Sequence, residues 1–123
     1  MLRYEQETYN IIGAAMKVHS ELGPGFTERV YQEALAIEFS DRGIPFDREK
    51  EIHAIYNGIE LEGTFIPDFI CYDKIVVELK AVKELDDVHR SQAINYAKIA
   101  GFNLSLLINF GESSLVKERF PIR

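Results

Sequence analysis

The chain begins with two stretches in which apolar residues recur every three or four positions, the spacing of a helix that buries one face. The first stretch predicts a helix from about residue 4 to residue 22 and carries Ile11, Ile12, Ala15, Val18 and Leu22 on that face. This helix must end at Gly23-Pro24-Gly25, because proline cannot continue a helix and glycine accepts the geometry at which helices stop. The second stretch predicts a helix over about residues 27–42 that closes at Gly43.

Strand patterns follow the two helices. Residues 46–56 are predicted to form one strand, and the Asn57-Gly58 pair that comes next is a strong signal for a two-residue hairpin turn. The strand after this turn is predicted over about residues 59–72, with a bend at Gly63 or Pro67. The hairpin brings the two strands side by side.

The rest of the chain predicts a third strand, a third helix, a buried strand and a short edge strand, at about residues 75–82, 84–100, 104–110 and 117–122. A turn at Asp73-Lys74 joins the third strand to the second, and Asp86 or Asp87 is the expected N-cap of the helix. Three hairpin-linked strands followed by a helical crossover imply a mixed β-sheet flanked by helices on both faces. We therefore expect a single α/β domain over residues 1–123.

Composition is that of an ordinary globular protein, with 46% hydrophobic and 28% charged residues. No apolar run approaches the roughly 18 residues that a membrane helix needs, and the N-terminus lacks the apolar stretch of a secretory signal. The one cysteine excludes an intramolecular disulfide and a cysteine-rich zinc site. These features predict a cytoplasmic protein that does not bind membranes.

The second and third strands carry charged residues in an apolar setting, where unpaired charge is costly. If the turn between these strands is three residues long, Asp68 lies opposite Glu78. Alternation then places Asp68, Glu78 and Lys80 on one face of the sheet, with Val77 and Leu79 on the other. A register shifted by one residue would move Asp68 to the opposite face.

Two carboxylates on one face, together with a main-chain carbonyl, suit a hard cation such as Mg²⁺ or Mn²⁺. Such a cation would hold a phosphate oxygen and make a bound water more acidic, and Lys80 would orient that water or stabilise developing charge. The alternative for Glu78 and Lys80 is an ion pair on a solvent-facing strand, the usual explanation of an acidic-x-Lys triplet. The apolar strand around Glu78, and the Pro67-Asp68 pair ten residues upstream, favour the metal site.

Three further residues are candidates for the same site. Glu28 interrupts a partly apolar stripe on the second helix, although a first-turn glutamate is also favoured by the helix dipole. Gln92 and Tyr96 lie one turn apart on the third helix, where they could contact a phosphate or hold a catalytic carboxylate. The alternative for this pair is a helix flank packed against the sheet edge.

Taken together, these residues resemble the GxxExxY protein family, a branch of the PD-(D/E)XK nuclease superfamily. The motif that names the family stands here as Gly25-Phe26-Thr27-Glu28-Arg29-Val30-Tyr31, and the similarity runs through nearly the whole chain, including residues 77–81 and 107–111. The resemblance implies a restriction-endonuclease-like αβββαβ core. It also implies metal binding by Glu28, Asp68 and Glu78, catalysis by Lys80, and auxiliary roles for Gln92 and Tyr96.

The formal net charge of −6 argues against a broad basic face that grips nucleic acid. Of the 20 acidic residues, 17 remain when three are set aside for the site, against 14 basic ones. Contact with DNA or RNA must therefore be local, metal-assisted, or helped by a second copy of the chain or a partner protein. The motifs predict a Mg²⁺- or Mn²⁺-dependent nuclease. The acidic balance favours the alternative, a catalytically inactive interaction module that keeps the nuclease fold.

Overall fold

A computed structural model describes residues 3–123 of the chain. It contains three helices and seven strands within that range. In chain order the elements are α1 (Glu5–Leu22), α2 (Glu28–Asp41), β1 (Phe46–Arg48), β2 (Ile52–Tyr56), β3 (Ile59–Phe65), β4 (Phe69–Cys71), β5 (Ile75–Lys80), α3 (Asp87–Ile99), β6 (Leu104–Asn109) and β7 (Val116–Pro121).

The main sheet has five strands in the order β1-β4-β5-β6-β7. Strands β5 and β6 are parallel, because α3 carries the chain back to the starting end of the sheet, and all other neighbours are antiparallel. The mixed sheet with flanking helices is therefore confirmed. The edge strand predicted near the C-terminus is β7, and its last residue is Pro121, which suits an edge because proline donates no ladder hydrogen bond.

Two predicted strands are wrong in extent. The single strand expected over residues 46–56 is two strands in different sheets, since Glu49 adopts a left-handed φ of 52° between β1 and β2. The strand expected over residues 59–72 is likewise divided into β3 and β4, and the interruption includes Pro67, which cannot donate to a ladder. The β2–β3 hairpin thus forms a separate two-stranded sheet, and its turn is at Asn57-Gly58 as predicted.

Smaller boundary differences lie on either side of the connection into α3. Strand β5 ends at Lys80 rather than at residue 82, and α3 begins at Asp87 rather than at residue 84. Asp86 is the N-cap, as one of the two predicted candidates, and its side chain accepts a hydrogen bond from the His89 amide at 3.0 Å. A cap of this kind satisfies an amide that the first helical turn leaves free.

The core has a layer on each face of the sheet. Helices α1 and α2 pack on one face against alternate sheet residues, including Val77, Leu79 and Ile108, all nearly or fully buried. Helix α3 covers the other face, where Ala97 packs near Val76. Burial of each such aliphatic side chain contributes roughly 1.5–3 kcal/mol to folding. This alternation fixes the faces of β5 and leaves Glu78 and Lys80 on the α3 side. No helix within residues 3–123 is long and apolar enough to cross a membrane.

Candidate active site

The turn between β4 and β5 sets the register that the site depends on. Cys71 pairs with Ile75 and Phe69 pairs with Val77, so the turn consists of the three residues between Cys71 and Ile75. Two of these residues, Tyr72 and Asp73, have positive φ angles of 57° and 58°, which reverses the chain tightly. One step beyond the Phe69–Val77 pair, the same register brings Asp68 beside Glu78. The three-residue turn stated as a condition in the sequence analysis is therefore confirmed.

Two hydrogen bonds cross between Asp68 and strand β5. The Leu79 amide donates to Asp68 Oδ2 at 2.8 Å, and the Asp68 amide donates to Glu78 Oε1 at 3.3 Å. The side chain of each acid thus accepts a hydrogen bond from the backbone of the other segment. A third bond, from Gln32 Nε2 to Asp68 Oδ1 at 2.8 Å, ties the pair to α2. The two carboxylates are held close together by backbone geometry.

The two acids share an environment that resists a second negative charge. Burial raises the pKa of Glu78 to about 8, and the charge of Asp68 adds to this rise. Burial also raises the pKa of Asp68, while the hydrogen bonds from the Leu79 amide and from Gln32 act in the opposite direction. At neutral pH Glu78 therefore retains its proton for much of the time. Two partly buried oxygen ligands of this kind fit a divalent cation, which would favour the charged form of both.

Lys80 is the last residue of β5 and is partly buried beside the two acids. Its positive charge lowers the pKa of both Asp68 and Glu78. The Phe110 amide donates to the Lys80 carbonyl at 2.8 Å, which fixes the end of the strand. The structure thus brings Asp68, Glu78 and Lys80 together.

Glu28 is the first residue of α2, and its side chain is exposed. Its charge raises the pKa of Glu78, as the smallest of the contributions to that shift. Across residues 3–123 no three His, Cys, Asp or Glu side chains converge closely enough to hold a metal ion. Glu28 therefore lies near the Asp68–Glu78 pair without completing a cluster of three carboxylates.

The loop before α2 is fastened by Tyr31. Its hydroxyl donates to the Gly23 carbonyl at 2.5 Å and accepts a hydrogen bond from the Phe26 amide at 3.3 Å. The Tyr31 ring stacks on Phe110, with 4.6 Å between ring centroids. Gly25, in the same loop, has a φ of 110°, a conformation open to glycine and rarely adopted by other residues. Tyr31 thus fixes where α2 begins, and with it the position of Glu28.

Gln92 and Tyr96 lie on the flank of α3, and both are exposed. The Tyr96 ring stacks on Phe65 of β3, with centroids 5.2 Å apart and the ring planes 24° from parallel. Within the described residues neither side chain hydrogen-bonds to a site carboxylate. Tyr96 therefore packs the β2–β3 hairpin against α3.

Asn109 is a buried polar residue at this end of the sheet that the sequence analysis did not identify. Its side chain accepts from the Val82 amide at 3.0 Å and donates to the Val82 carbonyl at 2.9 Å. The same side chain accepts from the Gly111 amide at 3.1 Å. These bonds join the segment that follows Lys80 to the loop that follows β6. The available signal in the sequence was an asparagine at the end of an apolar strand, followed by Phe-Gly.

Comparisons with known proteins identify the family and the fold. A sequence model of a protein family, described as the PD-(D/E)XK nuclease superfamily, matches residues 5–120. The solved structure of an alkaline exonuclease (LHK-Exo) from Laribacter hongkongensis is similar with a TM-score of 0.54, over 100% of this chain and 72% of that chain. The two sequences are 10% identical, so this similarity concerns the fold alone. No curated protein matches the chain.

Proposed function

Since this chain belongs to the PD-(D/E)XK nuclease superfamily, we propose that it is a metal-dependent nuclease that hydrolyses phosphodiester bonds of DNA or RNA. Within the superfamily we assign it to the GxxExxY branch, on the motif at residues 25–31. The observation that carries the proposal is the buried pair of Asp68 and Glu78 beside Lys80. Acids whose pKa is raised by burial are concentrated at functional sites, which supports this proposal.

Asp68 and Glu78 are the proposed ligands of Mg²⁺ or Mn²⁺, with Glu28 as the third. When bound, such a cation lowers the pKa of a coordinated water and withdraws charge from a phosphate oxygen. Glu78 must release its proton to act as a ligand, so binding should be weaker below pH 8 and release protons. Glu28 is included because its charge already acts on Glu78.

Lys80 would place its ammonium group where negative charge develops on the phosphate, or would orient the attacking water. A fixed positive charge at such a position typically accounts for about 10²–10³ in rate. Gln92 and Tyr96 are proposed to contact the substrate from α3. With a net charge of −6, the chain has few basic residues to neutralise phosphates, so substrate binding should be weak and sensitive to salt. A second copy or a partner protein is our proposal for the missing affinity.

The test is a cleavage assay with Mg²⁺ or Mn²⁺ on single-stranded, duplex and branched DNA and on RNA, with Mn²⁺ binding measured in parallel by calorimetry. The wild type should cleave at least one substrate slowly, and EDTA should stop it. Glu78→Gln should abolish cleavage, because the amide cannot become a charged ligand yet still accepts the hydrogen bond from Asp68. The matched control is Glu62→Gln, at an exposed acid on β3, which should cleave as the wild type does.

The second candidate is an interaction module without activity. It is favoured by the acidic net charge and by the lack of a three-carboxylate cluster within residues 3–123. If no substrate is cut and no Mn²⁺ is bound, this candidate replaces the nuclease. If cleavage persists in EDTA or in Glu78→Gln, the assignment of the active site is wrong.

A further inference from the structure

Two partly buried hydrogen bonds connect Asp68 to β1 through α2. Arg48, on β1, donates from Nε to Gln32 Oε1 at 2.9 Å. Gln32, on α2, donates from Nε2 to Asp68 Oδ1 at 2.8 Å. The three residues come from three separate parts of the chain and form one line of hydrogen bonds that ends on a site carboxylate.

The donors and acceptors along this line can be arranged in only one way. A glutamine amide has one accepting end and one donating end, whereas a guanidinium group only donates. Arg48 must therefore face the oxygen of Gln32, which leaves the NH₂ group of Gln32 to face Asp68. Because a carboxylate accepts hydrogen bonds, the Gln32 donor matches it. Arg48 thus determines which end of Gln32 meets the acid.

The line satisfies Gln32 but leaves one atom of Arg48 without a partner. Gln32 is 4% exposed, and both ends of its amide are satisfied, by Arg48 and by Asp68. Arg48 Nη2 is buried and has no hydrogen-bond partner within residues 3–123, with its nearest charge partner, Glu33 Oε1, at the limit of an ion pair at 4.0 Å. A buried polar group without a partner costs stability and calls for another explanation.

Both oxygens of the Asp68 carboxylate accept hydrogen bonds within the protein. One carboxylate oxygen accepts from Gln32 and the other from the Leu79 amide. Because both oxygens are hydrogen-bonded, the carboxylate plane is fixed, and the lone pairs that accept no hydrogen bond point in a fixed direction. We infer that Gln32 and Arg48 are positioning residues that hold the Asp68 carboxylate in the orientation in which it binds the divalent cation; the cation part of this inference rests on the proposed function.

The first measurement needs neither metal nor activity. In EDTA, hydrogen exchange of the Leu79 amide should be at least about tenfold faster in Gln32→Met and in Arg48→Met than in the wild type. The amides of β6 report the loss of global stability, and the Leu79 rate is corrected by them. Arg48→Lys keeps a donor toward Gln32 and should restore much of the protection. Should Gln32→Met fail to fold, the comparison of Arg48→Met with Arg48→Lys carries the test.

The second measurement is the affinity for Mn²⁺, by calorimetry. Loss of a residue that orients a ligand typically weakens metal binding about 10–100-fold, and we expect this range for Gln32→Met and Arg48→Met. The matched control is Arg42→Met, since Arg42 also donates from Nε to a side-chain oxygen, of Glu38 at 3.0 Å, but Glu38 pairs with Lys17 of α1 and not with a site residue. Arg42→Met should bind Mn²⁺ as the wild type does.

The outcomes separate this inference from the proposed function. Faster Leu79 exchange with weaker Mn²⁺ binding, absent in Arg42→Met, supports both. Leu79 exchange that stays at the wild-type rate after correction overturns the positioning role, whatever the metal affinity. Faster Leu79 exchange in a protein whose wild type binds no Mn²⁺ supports the orienting contact and rejects the proposed metal function. Equal loss of Mn²⁺ binding in the Arg42 control would show a general loss of fold and overturn the specific role.

Discussion

Replacing Glu78 by glutamine should make the metal-free protein more stable at neutral pH. The pKa of Glu78 is about 8 in the folded chain against an ordinary value of 4.5. Between pH 4.5 and pH 7 the unfolded chain loses this proton while the folded chain retains it. The interval is about two and a half pH units, and each unit lowers the free energy of unfolding by about 1.4 kcal/mol. Folding therefore loses about 3 kcal/mol to this one group. Glutamine is neutral in both states and removes that loss.

The pH dependence of this change has a definite sign. Because the pKa of Glu78 is raised in the folded state, the folded chain binds the proton more tightly than the unfolded chain between pH 4.5 and 8. Wild-type stability from this group is therefore full below pH 4.5 and falls as pH rises through the window. The advantage of Glu78→Gln should be close to zero at pH 4.5, near 3 kcal/mol at pH 7, and level above pH 8.

The assay is urea unfolding followed by circular dichroism in EDTA, at pH 5 and at pH 7.5. Glu62→Gln serves as the control and should change the free energy of unfolding by no more than about 0.5 kcal/mol at either pH, as exposed substitutions usually do. A Glu78→Gln variant that is less stable than the wild type at pH 7.5, or that shows the same change at both pH values, would refute the reasoning. With Mn²⁺ at saturation the order should reverse, because only the wild type gains binding energy.

Three further outcomes test other parts of the site. Lys80→Ala should lower kcat by about 10²–10³ in the cleavage assay while the Mn²⁺ dissociation constant changes less than about threefold, since its proposed role is with developing charge. Gly111→Ala should lower the free energy of unfolding by about 1–3 kcal/mol in urea, because its Cβ would collide with the Val82 carbonyl oxygen; a change under about 0.5 kcal/mol would contradict that contact. Tyr31→Phe should cost about 1–2 kcal/mol in the same assay, because the Gly23 carbonyl loses its donor.

Local patterns in the sequence were sufficient for most of the fold. Helices α1 and α2, the hairpin at Asn57-Gly58 and the buried strand β6 follow from periodicity and turn residues, which act over a few positions. The errors at residues 46–56 and 59–72 fall where the strand pattern itself is interrupted. Residues 47–51 are all charged, so the alternation of apolar and polar residues stops around Glu49, and Pro67 removes a ladder donor just before Asp68.

The opposition of Asp68 and Glu78 was predictable because only a turn length was needed. Once three residues separate β4 from β5, the register follows along the whole hairpin. Glu28 was harder to place, since its relation to the acids depends on how α2 lies against β5. Helical periodicity gives the face of a residue but not its distance along a neighbouring strand. The sequence could therefore predict the relative position of Asp68 and Glu78, but not the position of Glu28 relative to them.

Gln32 shows which sequence signal can identify a residue that positions a site carboxylate. It is three residues before Leu35 and seven before Phe39, both fully buried, so it lies on the apolar stripe of α2 and must be satisfied by a partner within the protein. Its partner Asp68 is 36 residues away, a separation that no local pattern spans. A buried amide on one element and a buried acid on another, in a chain with few polar core residues, are nonetheless natural partners, because each lowers the cost of burying the other. Polar residues on apolar stripes are thus where contacts that orient a site should be sought first.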